Sequence, residues 1–223
     1  MKSKILRLSV AFTFFCIGCK QNKEVAKPVT DEPVQEVVMS QVPAEILELI
    51  KFADTTLSEG TGVEQLVLFK EIDAKGTVQT VDSKTAVNLY KRMMSPKTPD
   101  TFPLFEIKNT DKTILVLGGK GYEGPIWAKV LIDKNTREIL KIEFGHQFES
   151  EGYGAAITNS SFEKQFLGAK IGLEANTFGL QQGGREVIKG NQPIDGISGA
   201  TVTGNKVVEL LNEGLLRLKE YTE

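Results

Sequence analysis

The chain has 223 residues, with 27 basic and 29 acidic side chains and a formal charge of −2. That balance argues against a nucleic-acid partner. Hydrophobic residues make up 40 %, ample for a core, and the cysteine count of 2 excludes a disulfide-framed fold.

Lys2, Lys4 and Arg7 precede an apolar run from Leu8 to Ile17 that ends at Gly18-Cys19. This is the order of a secretory signal. The run is too short for a membrane-spanning helix, which needs about 20 apolar residues. A Cys directly after a small residue at the end of such a run resembles a bacterial lipobox, cut before Cys19 and acylated on it. The position three before the cysteine is Cys16, where lipoboxes usually carry Leu. An ordinary signal peptide with two incidental cysteines is the alternative. Cleavage would leave 24 basic against 29 acidic residues, a charge of −5, and no cysteine other than Cys19. From Lys20 to about Ser40 the chain is polar, with Pro28 and Pro33 and no periodicity. Some 20 flexible residues reach roughly 25 Å, enough to stand a domain off a membrane. The expected organisation is therefore a lipoprotein signal over 1–18, the lipidated cysteine and a tether over 19–40, and one domain over 41–223.

Pro43 to Leu57 is predicted as a helix, with Pro43 at its first position and Ile46, Ile50 and Ala53 on one side. Gln65 to Ile72 is predicted as a strand, followed by a turn at Asp73 to Gly76. Ser83 to Met94 is predicted as a helix capped by Ser83, with Ala86, Tyr90 and Met93 inward. Thr113 to Leu117, Ile126 to Asp133 and Arg137 to Phe144 read as strands, the last two joined by Lys134-Asn135-Thr136. Leu140, Ile142 and Phe144 alternate as a half-buried strand does. Ser161 to Leu167 reads as a short helix stopped by Gly168. Thr201 to Tyr221 is the closing helix, with Val207, Leu211, Leu215 and Leu218 on one stripe. Strands in the middle and helices at both ends give an α+β class.

Gly119-Lys120-Gly121-Tyr122-Glu123-Gly124 matches G-x-G-x-x-G, but a dinucleotide fold needs a helix straight after the glycines. Here Pro125 to Asp133 reads as a strand, so the glycines mark a sharp bend or a close backbone approach. Gly145-His146-Gln147-Phe148-Glu149-Ser150-Glu151-Gly152-Tyr153-Gly154 holds the single histidine of the chain. One His and one carboxylate leave a zinc site short of ligands. Two readings stay open, an incidental surface loop and a loop lining a planar ligand, with Tyr153 as a stacking face. Asp195-Gly196-Ile197-Ser198-Gly199-Ala200-Thr201-Val202-Thr203 opens the last helix. Gly199 and Ala200 leave the Thr201 hydroxyl unshielded, and the first N–H groups of a helix favour an anion. Ser198 is the natural N-cap, or a further donor to a phosphate. A Ser-capped helix after a glycine turn, with nothing bound, has the same local pattern.

Asp195 to Thr201 resembles the flavinylation motif of the FMN-binding domain family, which includes the FMN-carrying subunits of the Na+-translocating NADH:quinone reductase and of the Rnf electron-transport complex. Three further segments fit in the same order. Gly119 to Trp127 is similar to the family's Gly-Lys-Gly-Leu…Ile-Trp segment. His146 to Gly154 is similar to its His-x-x-Glu-Thr-Pro-Gly-Leu-Gly loop, with Ser150-Glu151 in place of Thr-Pro and Tyr153 in place of Leu. Gln165 to Lys170 is similar to its Gln-Phe-x-Gly-Lys stretch. The resemblance covers about Gly118 to Tyr221.

It implies one FMN-binding domain with a central antiparallel-rich sheet and a C-terminal helix. It also implies FMN joined by a phosphoester to Thr201, attached by a flavin transferase that reads Asp195 and Ser198. Gly199, Ala200 and Thr203 would complete the attachment turn. His146, Glu149, Ser150, Gly152, Tyr153 and Gly154, with Gly121, Tyr122 and Trp127, would lie near the isoalloxazine ring. No catalytic residue and no metal follow from it. The role implied is an extracytoplasmic electron carrier in a bacterial cell envelope, lipid-anchored to a membrane and exchanging electrons with redox protein partners. It is closer to a subunit of a respiratory oxidoreductase than to a self-sufficient enzyme. The relatives carry a transmembrane helix where this chain carries a lipobox. A flavin-dependent reductase with its own substrate and a non-redox surface lipoprotein are the alternatives.

Overall fold

The computed structural model describes residues 42–55 and 62–222. The expected signal, Cys19 and the tether to residue 40 lie outside them. Helix α1 covers Ala44–Phe52. Pro43 stands just outside it with an extended ψ of 140°, so it caps the helix and is not its first residue. Ile46, Ile50 and Ala53 are buried as the spacing predicts; the predicted end at Leu57 falls outside the described residues. A turn of helix, α2 (Val63–Leu66), takes up the start of the predicted strand, and β1 follows over Val67–Ile72. At the next turn Asp73 accepts hydrogen bonds from the Lys75 and Thr77 N–H groups at 2.8 and 2.9 Å. Strand β2 (Val78–Thr80) returns beside β1. Helix α3 covers Ser83–Met93, and its cap is Asp82, not Ser83: the Asp82 carboxylate accepts from the Thr85 N–H at 2.9 Å.

Strand β3 (Phe102–Ile107) has no counterpart among the predicted elements. It is apolar except for Glu106 and contains Pro103, a residue that usually demotes a central strand. Pro103 lies past the end of the pairing with β4 (Lys112–Lys120), which begins at Leu104, so its missing N–H costs that ladder nothing. Strands β5 (Pro125–Asp133) and β6 (Glu138–His146) complete an antiparallel six-stranded sheet in the order β2-β1-β3-β4-β5-β6. The glycine segment 119–124 is the β4–β5 hairpin. Leu140 breaks the predicted alternation. The register shifts between Leu131 and Ile132, which face Lys141 and Ile139, so Leu140 bulges outward while Ile139, Ile142 and Phe144 are buried.

Helix α4 (Ser160–Glu163) and a 3-10 turn at Lys164–Phe166 replace the single helix predicted there, ended by Gly168 at φ +73°. A second sheet, absent from the sequence prediction, follows: β7 (Phe178–Gln182), β8 (Arg185–Ile188) and β9 (Gln192–Asp195), ordered β8-β7-β9. Phe144, Phe162, Phe166 and Phe178 form an aromatic cluster, with Phe166 edge-to-face against the other three and its ring 4.9 Å from that of Phe178, that joins this sheet to the first. The closing helix is α5 (Thr201–Leu216), with a short α6 (Lys219–Thr222) after it. Val207, Leu211, Leu215 and Leu218 are all buried as predicted.

The large sheet is covered on both faces. A Cβ on Gly118 would meet the Met93 carbonyl of α3 at 2.2 Å, and one on Gly214 of α5 would meet Leu117 at 2.4 Å. Buried Asn212 fixes α5 against β7: it accepts from the Phe178 N–H at 2.9 Å and donates to the Phe178 carbonyl at 2.8 Å. Among the described residues no helix is long and apolar enough to cross a membrane.

At the far end, Glu106 gathers the cations Lys70 and Lys134 and the Tyr221 hydroxyl, which also meets Thr113 at 2.8 Å. Burial works against ionisation of Glu106, but the Lys134 and Lys70 contacts and the Tyr221 hydroxyl outweigh it and hold the carboxyl at about 2. A carboxyl depressed on folding stabilises the fold above its unfolded pKa and loses that contribution as pH falls towards its folded one. Glu106→Gln is therefore expected to lower the urea midpoint at neutral pH. The difference from wild type should shrink between the ordinary carboxylate range and about pH 2. Urea titrations stepped through that range check it.

Candidate functional site

The loop after β6 starts alongside the β4–β5 hairpin, where the Gln147 N–H donates to the Pro125 carbonyl at 3.1 Å. Two residues on, Glu149 turns inward and is only 6 % exposed. One carboxylate oxygen accepts from the Glu123 N–H at 2.9 Å and, more weakly, from the Gly124 N–H at 3.4 Å. The other accepts from the Thr203 hydroxyl at 2.6 Å. One buried carboxylate thus ties the hairpin, its own loop and the first turn of α5. Gly121 and Gly154 make room for it: a Cβ at either would meet a Glu149 oxygen, at 2.4 and 2.2 Å.

The chain enters α5 through Gly199 at φ +75°, a left-handed backbone that favours glycine. The Tyr153 ring lies against it, 2.7 Å from where a Cβ would stand. Ala200, not Ser198, occupies the N-cap position, and no side chain caps the helix. Ser198 is exposed two residues earlier. Among the described residues, no acceptor meets the N–H groups of Thr201, Val202 or Thr203. A helix of 16 residues therefore presents three donors and the positive end of its dipole beside the exposed Thr201 hydroxyl.

These donors open on a cavity of about 410 Å³, lined by residues from all three segments. Of the residues expected here from sequence, Tyr122, Glu149, Ser150, Tyr153, Gly154, Gly199, Ala200, Thr201 and Thr203 line it. Its rim is apolar and open, with Tyr122 66 %, Tyr153 57 % and Val202 46 % exposed. An anion binder beside aromatic faces suits a planar ring carrying a phosphate.

The other expected residues lie elsewhere. Gly121 packs behind the wall against Glu149, and Gly152 sits in the loop at φ +75° with open space around it. Trp127 pairs with Gly118, which faces α3, so its ring stands on the opposite face of the sheet and lies over Gly145. Strand alternation separates it from Tyr122, although five residues part them in sequence. His146 ends β6 opposite Ile126, its Nδ1 buried and without a partner among the described residues, and does not line the cavity. Asp195 ends β9, its backbone held by Gln165, which accepts from the Asp195 N–H at 2.7 Å and donates to its carbonyl at 3.2 Å. It lines a separate depression with Asn159 and Gln165.

Residues 121–216 match the FMN-binding domain family. This segment is an FMN-binding domain. The chain is 38 % identical over 118 residues to the C-subunit of the Na(+)-translocating NADH-quinone reductase of Chlamydia caviae, covering 46 % of this chain and 37 % of that one. The same protein of Vibrio alginolyticus is 32 % identical over 117 residues, covering 48 % and 44 %. The match thus spans about two fifths of these relatives. The fold is that of the corresponding reductase C-subunit from Parabacteroides distasonis, at TM-score 0.59 and 24 % identity over 80 % of this chain and 90 % of that one. NqrC of Shewanella oneidensis superposes at TM-score 0.57 with 19 % identity, over 79 % and 97 %.

Two further residues, not among those expected at the site, also line the cavity. Glu123 accepts both contacts of the Ser150 hydroxyl, at 2.9 and 2.8 Å, and closes one side of the cavity. Val202 forms part of the rim. Val202 lies within the quoted stretch that opens the last helix, whereas the Glu123 contact joins segments 27 residues apart. Gly154→Ala is expected to destabilise the domain by about 1–3 kcal/mol, as overpacking does, because the new methyl meets a carboxylate already held on both sides. Thermal or urea unfolding of that variant checks it, with Gly152→Ala, where nothing stands within 4 Å, as the strain-only control.

Proposed function

We propose that the domain carries FMN joined through its phosphate to the Thr201 hydroxyl, and that it passes electrons between redox proteins at a membrane. One observation carries this reading: an exposed threonine hydroxyl opens a long helix whose first three N–H groups have no acceptor among the described residues, beside a cavity with an open aromatic rim. The amides and the helix dipole would hold the phosphate, and Tyr122 and Tyr153 would flank the ring. FMN itself supplies the one- and two-electron chemistry. The protein fixes its place, limits water around it and leaves an edge open to a partner.

Attachment would be the work of a flavin transferase acting on FAD. The Thr201 oxygen forms the new bond to the FMN phosphorus, the pyrophosphate bond breaks, AMP leaves, and the hydroxyl proton passes to solvent. Asp195 and Ser198 stand outside the cavity, Asp195 with its backbone clamped by Gln165, where an enzyme approaching Thr201 would meet them. The lipobox at Cys19 and the polar segment after it would place the domain outside the cytoplasm, tethered to a membrane surface. An ester link suits that setting, since a dissociated flavin would not be replaced there.

The full chain, co-produced with a flavin transferase, is expected to gain the mass of one FMN less one water. Thr201→Ala should show no gain. Intact-mass spectrometry and in-gel flavin fluorescence check both. Absence of label on wild type, with a control protein labelled in the same cells, would sink the reading.

A further inference from the structure

The carboxylate of Glu149 has more to do than hold the loop. Two acids line the cavity, Glu123 and Glu149. Glu123 is exposed, so water and salt screen it. Glu149 is 6 % exposed, and a charge acts several-fold more strongly where water is excluded. Its partners are neutral: the Thr203 hydroxyl and the Glu123 and Gly124 N–H groups. Every one of these bonds is accepted by Glu149. Among the described residues no lysine, arginine or histidine pairs with it. None of the described basic residues lines the cavity at all. The negative charge in the wall is therefore not cancelled by a cation among them.

We infer that Glu149 is the residue that sets the reduction potential of this site, holding it low by opposing the addition of electrons to the ring in the cavity. The inference rests on the reading that the ring of Thr201-linked FMN fills that cavity. Glu149 acts here as a positioning and electrostatic residue; it transfers no proton or electron itself. Thr203 tunes it, because its hydroxyl donates to the carboxylate and withdraws part of the charge.

The test is a potentiometric titration of the flavinylated full chain, with dithionite as the two-electron reductant and a proton taken from the buffer. Glu149→Gln should move the midpoint upward by at least a tenfold change in the reduction equilibrium, about 30 mV for a two-electron couple. Thr203→Val leaves the carboxylate without that donor and should move it the other way. Glu123→Gln should move it less than Glu149→Gln. Intact mass on the same samples reports flavinylation, so a wild-type chain without FMN fails the functional reading and not this inference alone. Flavinylated Glu149→Gln with an unmoved or lowered midpoint overturns the inference. If Glu149→Gln carries no flavin, Thr203→Val decides, and an unmoved or raised midpoint there overturns it. Loss of flavin from both variants would confine Glu149 to building the site and overturn it equally.

Discussion

The site depends on one buried carboxylate. Glu149 meets the hairpin amides with one oxygen and the α5 threonine with the other, so three segments far apart in sequence share a single acceptor. The Gly124 N–H and the Thr203 hydroxyl are buried donors that lose this partner if the carboxylate goes, and an orphaned buried donor costs about 1–3 kcal/mol. The glycines at 121 and 154 are the steric counterpart of the same contact, since neither position tolerates a Cβ while Glu149 stands where it does. Cavity shape, helix start and loop path are therefore one arrangement.

That arrangement is only as firm as the elements behind it. The two sheets are joined by the phenylalanine chain from Phe144 to Phe178, and β7 is hydrogen-bonded to α5 through Asn212. Gln165, next to Phe166 in that chain, reaches back to the Asp195 backbone and fixes the approach to the glycine turn. The position of Thr201 thus follows from packing about an aromatic core, transmitted through the hydrogen bonds of the Gln165 side chain to the Asp195 backbone and a left-handed turn at Gly199.

What the sequence made legible was local. The stripe Val207–Leu211–Leu215–Leu218 and the β5–β6 hairpin turning at Lys134-Asn135-Thr136 are periodicity and turn chemistry, and both stand in the structure. The cap at Asp82 and the bulge at Leu140 shifted single residues, since neighbouring polar side chains compete for a cap and a bulge leaves no mark in composition. Strand β3 hid behind Pro103, and the second sheet behind strands of four or five residues, too short to show a period. At the site, the motif residues around Thr201 were legible because they are contiguous. The two neighbours that resemblance alone placed at the ring fared differently. Tyr122 lies in the turn and faces the cavity, while Trp127 is fixed by strand parity to the other face of the sheet. The Glu149–Thr203 contact spans 54 residues, and nothing in either segment announces the other.

The charge pattern of the cavity bears on why a linkage through Thr201 suits it. A phosphate monoester carries about 1.5 to 2 negative charges at neutral pH, because its second proton leaves near pH 6. Three backbone amides and a helix dipole, equivalent to about half a charge, are the positive elements here. Among the described residues, the wall offers Glu149 and Glu123 and no cation. A second phosphate charge would therefore meet two carboxylates without compensation. An ester to Thr201 removes that second ionisation, because a diester has one acidic proton only. On the proposed reading, the bond that prevents loss of the flavin also brings its charge down to what a bare helix terminus can hold, and leaves Glu149 free to act on the ring.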